Sequence, residues 1–169
     1  MKVNPEISII IPYHKKKKFF IKTLNSILNQ TYKKYEIIIV YDDYDNDELI
    51  YLKKLLSNVS NTKLIVNKKT IGPGLSRNKA ITLSRGKYIA FCDADDLWNK
   101  NKLKLQIEFM KKKNLNFSHS GYYIIDKRGK KIIARQMLGD VFIRNGLFYI
   151  FSIKKLIKYK TIYLKNMYP

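Results

Sequence analysis

Four short apolar runs recur along the first part of the chain, at residues 7–13 (ISIIIPY), 36–41, 63–66 and 88–92. Continuous, β-branched runs of this length are typical of strands buried on both faces of a parallel sheet. Between them the apolar residues return every three or four positions, the spacing of one helix face. Phe20, Leu24, Ile27 and Leu28 form the first such face, and Leu49, Leu52, Leu55 and Leu56 the second. Leu75, Ala80 and Leu83 mark the third, and Leu103, Ile107 and Met110 the fourth. Strands alternating with helices predict a mostly parallel α/β sheet flanked by helices. Pro12 lacks an amide hydrogen and ends the first ladder. Further on, residues 115–125 alternate loosely as a strand, Asp126-Lys127-Arg128-Gly129 reads as a hairpin turn, and residues 130–134 return.

The acids change the picture. Eight of the thirteen lie in two clusters, residues 42–48 and 93–96, each directly after an apolar run. Asp45, Asp47 and Glu48 fit the cap and first turn of the following helix, where the dipole favours negative charge. Asp42 and Asp43 come earlier, on the strand end itself, where a carboxylate can accept hydrogen bonds from a base or ribose. Asp93, Asp95 and Asp96 crowd the end of the fourth run. Their spacing suits Mg²⁺ or Mn²⁺ completed by phosphate oxygens, or an acidic turn with Asp96 as an N-cap. Gly72-Pro73-Gly74 reads as a turn opening a helix, with free amides toward an anion, and Arg77 adds a bidentate donor beside Asn78. It matches neither Walker A nor Gly-x-Gly-x-x-Gly.

Composition narrows the class. A chain of 169 residues, 46% hydrophobic and 28% charged, is globular, with one domain as the default. No apolar run is long enough for a membrane span, and the N-terminal run, followed by proline and lysines, reads as a strand rather than a signal peptide. The lone Cys92 excludes an internal disulfide and fits a cytoplasmic setting. His14 and His119, without acids or cysteines at ligand spacing, do not make a zinc site. The net charge of +21 is spread along a chain rich in Lys, Asn, Ile and Tyr, so it is not counted toward nucleic acid. Residues 144–169 carry six basic residues and no acid among aromatic and aliphatic ones. They read either as a segment on an anionic membrane surface or as the start of another core helix.

At this point a resemblance becomes specific. ISIIIPYH, then SILNQTYKKYEIIIVYDD, then GLSRNKAITLSRGKYIAFCDADDLW resemble, in order, the blocks of family 2 glycosyltransferases of the GT-A fold, over about residues 7–125. The resemblance implies a Rossmann-like, mostly parallel sheet and a C-terminally incomplete chain. It divides the chain into a nucleotide-sugar-binding domain at 1–135 and a divergent acceptor segment at 136–169. It implies an inverting, Mn²⁺- or Mg²⁺-dependent transfer from a nucleotide-diphosphate sugar to a glycan or lipid-linked acceptor in surface glycan synthesis, at the inner face of the membrane. The alternative is a nucleotide-sugar-binding remnant without a general base, since no acid follows Asp140. By position, Pro12 and Tyr13 match the first nucleotide loop, where Tyr13-His14 stands for the family's Tyr-Asn. Asp42 or Asp43 matches the base-contacting acid, and Arg77 and Asn78 the block near the nucleotide. Asp93 matches the ribose-side acid of the Asp-x-Asp motif and Asp95 the metal ligand, with Asp96 assisting.

Overall fold

The computed structural model describes residues 4–121 and 149–154. Ten elements follow one another: β1 (Ile7–Tyr13), α1 (Lys17–Leu28), β2 (Tyr35–Tyr41), α2 (Asn46–Leu56), β3 (Thr62–Val66), α3 (Pro73–Thr82), β4 (Tyr88–Phe91), α4 (Lys102–Lys112), β5 (Phe117–His119) and β6 (Tyr149–Ser152). They build a six-stranded sheet in the order β3-β2-β1-β4-β6-β5. The first four are parallel, and β6 runs antiparallel to both β4 and β5.

Side-chain alternation divides the core into two layers. Ile7, Ile9, Ile11 and Tyr13 of β1, with Ile37, Ile39 and Tyr41 of β2, pack against Phe20, Leu24 and Ile27 of α1, Leu52 of α2 and Leu103, Ile107 and Met110 of α4. The opposite face sets Ile10, Ile38, Val40, Ile89 and Phe91 against Ala80 of α3. Burial on both faces is why these strands read as unbroken apolar runs.

Two polar residues interrupt them. Ser8 and Glu36 are neighbours across β1 and β2, and Ser8 Oγ donates to Glu36 Oε1 at 2.7 Å. The Arg85 amide and guanidinium donate to the same carboxylate, and the Gly86 amide donates to Ser8 Oγ. Burial pushes the Glu36 carboxyl up, but these hydrogen bonds and the Arg85 charge outweigh it and hold it below the ordinary value. A Cβ on Gly86 would lie 2.6 Å from Ser8 N, so glycine is needed here for space.

Three sequence expectations are corrected. Leu75 and Leu83 are exposed, and α3 turns Ser76 inward beside the expected Ala80, because Ser76 Oγ takes a hydrogen bond from Asn67 and a methyl allows close approach. Asp96 is not a helix cap, since α4 starts after Asn101. Tyr149–Ser152, inside the segment read as a membrane-surface or helical stretch, forms β6 between β4 and β5. Of the strand read at 115–125, only Phe117–His119 is observed, as β5; residues 122–125 and the proposed return at 130–134 lie outside the described residues.

Candidate functional site

Because β1, β2 and β4 are parallel, their C-terminal ends share one rim. From β1 the chain passes by α1 to β2 and β3 on one side, then by α3 to β4 on the other side of β1. The crevice between β1 and β4 is therefore the switch point, where open α/β sheets bind ligands. Pro12, Tyr13 and His14 leave β1 there, Asp42 and Asp43 leave β2, and Asp93 to Asp96 leave β4.

The two acids after β2 have different tasks. Asp42 is consumed by structure: Oδ1 accepts from Asn67 Nδ2 at 2.8 Å and from the Ile71 amide at 2.9 Å, and Oδ2 from the Gly72 amide at 2.7 Å. Burial raises its pKa, but these bonds win and hold it below the ordinary carboxylate value. The turn amides expected to await an anion are thus taken by the chain's own Asp42, which ties the start of α3 to β2. Gly72, at φ 86°, supplies the left-handed bend. Asp43 is free of such duty on one side. Its Oδ1 accepts from the Tyr44 amide, whereas its buried Oδ2 has no hydrogen-bond partner. His14 Nδ1 stands 3.5 Å from that oxygen but is directed to the Asp42 carbonyl at 2.8 Å, which fixes the proton on Nδ1. Of the two acids, Asp43 is the one with an unspent carboxylate oxygen, held in a buried side chain at the rim.

Tyr13 does not offer its ring. The side chain is wholly buried against Phe20 and Tyr41 and donates to Glu48 Oε1 at 2.8 Å. With its side chain spent in the core, Tyr13 has only its backbone to offer at the rim. Glu48 also accepts from the Lys17 amide, so beyond its place in the first turn of α2 it joins α2 to α1.

At the end of β4, Arg77 donates to Asp93 Oδ1 at 2.6 Å while its guanidinium lies over the Phe91 ring, 5.5 Å from the centroid. Arg77 Nε is buried without a partner. Asn78, next on α3, is exposed. Lys16 Nζ meets Asp95 Oδ2 at 2.6 Å. Asp96 feels burial first and then the charges of Asp93 and Asp95, which together push its pKa up to about 6. The three acids do not form a cage: among the described residues no three His, Cys, Asp or Glu groups are placed to hold a metal ion. Mg²⁺ or Mn²⁺ bound with a nucleotide needs only one or two carboxylates, and the partly exposed Asp93 and Asp95 fit that smaller set.

Beneath the acids lies a clamp that sequence reasoning missed. Thr23 Oγ1 donates to the Ala94 carbonyl at 3.0 Å, and Ser26 Oγ accepts from the Trp98 amide at 3.1 Å. Gln30 is wholly buried; its Nε2 donates to the Asn99 carbonyl at 2.7 Å and its Oε1 accepts from the Leu103 amide at 3.0 Å. Thr31 bonds the Lys100 carbonyl through its amide. The signal was the polar Thr23 and Ser26 among the inward positions of α1, and Gln30 and Thr31 just after it, in the SILNQTY block. Trp98 packs in the main core with Lys102 over its ring.

The fold has close counterparts. UDP-GlcNAc-bound TarS 1-349 of S. aureus superposes with a TM-score of 0.71 at 23% identity, covering 92% of this chain and 47% of that one. The mannosyltransferase PcManGT of Pyrobaculum calidifontis, in complex with GDP-Man and Mn²⁺, gives 0.72 at 16% identity, with coverages of 92% and 46%. These likenesses establish the GT-A architecture. Among curated proteins, the Escherichia coli UDP-Glc:alpha-D-GlcNAc-diphosphoundecaprenol beta-1,3-glucosyltransferase WfgD is 32% identical over 142 residues, 82% of this chain and 55% of its own length. The chain spans between 20% and 55% of the length of such relatives. Among the described residues no helix is long and apolar enough to cross a membrane. The family model for glycosyl transferase family 2 matches residues 8–166, nearly the entire sequence, and the chain belongs to that family.

Proposed function

We propose that the chain is the donor-binding part of a glycosyltransferase that moves a sugar from a nucleoside diphosphate to an acceptor hydroxyl in surface glycan synthesis. The reading includes Mg²⁺ or Mn²⁺ and inversion at the anomeric carbon. The observation that carries it is the Arg77–Asp93 contact on the same rim as the unpartnered Asp43 oxygen. Asp43 accepts an N–H of the base, with the backbone of Pro12 and Tyr13 closing the crevice beside it. Arg77, whose Nε is unspent, takes the diphosphate, with Asn78 at the mouth. Asp93 serves the ribose side, and Asp95 holds the metal with help from Asp93 or Asp96. When bound, the metal neutralises charge growing on the leaving diphosphate. The nucleotides named for TarS and PcManGT support a nucleoside-diphosphate donor, and the name of WfgD supports a lipid-linked acceptor.

Calorimetric titration with UDP and GDP, with and without Mn²⁺, tests the reading. We expect one nucleotide to bind more tightly with Mn²⁺, and Asp95→Asn to abolish that metal dependence. Nucleotide binding indifferent to Mn²⁺ and to Asp95→Asn would overturn the metal assignment. Release of sugar from the matching donor separates an active enzyme from a binding remnant.

A further inference from the structure

The four-lysine run after β1 sends its members to different places. Lys15 Nζ lies over the Tyr44 ring, Lys17 Nζ lies over the Tyr51 ring, and Lys18 is exposed. Lys16 alone of the four reaches the acids after β4, bridging 79 positions of sequence to Asp95 at 2.6 Å. Its backbone is fixed for the task. The Lys16 carbonyl accepts from the Phe19 and Phe20 amides as the first carbonyl of α1, and Lys15 before it takes the left-handed φ of 50°. A non-glycine residue in that region is strained, and such strain gathers at functional sites. With Arg77 on Asp93, each acid of the Asp-x-Asp pair is matched by one cation of the chain.

We infer that Lys16 is a resident counter-cation of the metal site, which leaves Asp95 when a divalent ion arrives and passes to the donor diphosphate. The inference rests on the donor-site reading above and adds a residue to it. The ammonium and the metal compete for one carboxylate oxygen, so each weakens the other. Once the metal neutralises Asp95, the Lys16 ammonium is free to pair with the diphosphate at the same rim. No bond is made or broken; the lysine keeps its proton and exchanges one anionic partner for another. Lys16 thereby acts as a positioning residue with opposite effects on metal and donor.

The test compares wild type with Lys16→Gln, Lys16→Arg, Lys18→Gln and Asp95→Asn, measuring Mn²⁺ binding without nucleotide and then UDP or GDP binding at saturating Mn²⁺. Lys18→Gln removes the same charge from the neighbouring turn and controls for the general field. Partly exposed ion pairs are weak, so Lys16→Gln should tighten Mn²⁺ by roughly two- to fivefold and weaken the nucleotide by a similar factor. Lys16→Arg should stay near wild type on both measures and Lys18→Gln near wild type on the metal. If Lys16→Gln and Lys18→Gln bind Mn²⁺ alike while Asp95→Asn loses it, the inference fails and the donor site stands. If neither wild type nor Lys16→Gln binds Mn²⁺, the metal site fails and takes the inference with it.

Discussion

Replacing Gln30 by alanine should cost far more than its distance from the rim suggests. The side chain is wholly buried and joins α1 to the loop that carries the acids, through the Asn99 carbonyl at 2.7 Å and the Leu103 amide at 3.0 Å. Alanine leaves both backbone groups without their partner, and each buried unsatisfied group costs about 1–3 kcal/mol. The sum is about 2–6 kcal/mol, a large part of the ~5–15 kcal/mol that holds a typical domain together. In a chain of this size the melting temperature should fall by roughly 2–4 °C for each kcal/mol lost. Urea unfolding followed by circular dichroism measures the loss directly. Lys104→Ala, on the exposed side of α4, is the control and should stay within about 0.5 kcal/mol of wild type. Gln30→Glu sets a buried carboxylate against the Ser26 and Asn99 carbonyls, so at neutral pH it should cost at least as much as alanine. A loss below about 1 kcal/mol for Gln30→Ala would refute the clamp, because even one orphaned group should exceed it.

Three further predictions follow from other contacts. Gly86→Ala puts a methyl 2.6 Å from Ser8 N and 2.7 Å from Ile7 C, so it should destabilise by about 1–3 kcal/mol in the same urea assay. Glu36 and Asp42 both have depressed folded pKa values, so their stabilisation is complete above the unfolded values of 4.5 and 3.8. It is lost as pH falls through the lower folded values, and a thermal series from pH 6 to pH 3 should show Glu36→Gln starting less stable but losing less than wild type. Asp43→Asn should leave stability unchanged within about 1 kcal/mol while weakening the preferred nucleotide about tenfold or more by calorimetry.

Much of the architecture was legible because the strands are buried on both faces and leave an unambiguous apolar trace. Placement of the acids followed, since parallel strands must deliver their C-terminal ends to one rim. What the pattern hid was the division of labour between neighbours. Asp42 and Asp43 are chemically identical in sequence, and only the approach of Asn67, Ile71 and Gly72 shows which is spent. On α3 Ala80 was read correctly, but Leu75 and Leu83 were taken with it on the strength of size, whereas close approach to the sheet favoured Ser76. Strand β6 is a short run in a basic, aromatic stretch, and its partners β4 and β5 are distant in sequence. Ser8 and Glu36 did carry a signal: two polar residues at matching positions of otherwise apolar strands.

The central claim is that the rim at the ends of β1, β2 and β4 holds the nucleotide and its metal. Paramagnetic broadening by Mn²⁺, added with the nucleotide that binds and read on backbone amide signals, tests it most directly. The opposite end of β1 is about 20 Å away, at roughly 3.3 Å per residue over its seven residues. Signals of Asp43, Arg77, Asp93 and Asp95 should broaden, while those of Ser8, Glu36 and Gly86 remain sharp. Broadening centred on Ser8 and Gly86, or spread evenly over both ends of the sheet, would contradict the account.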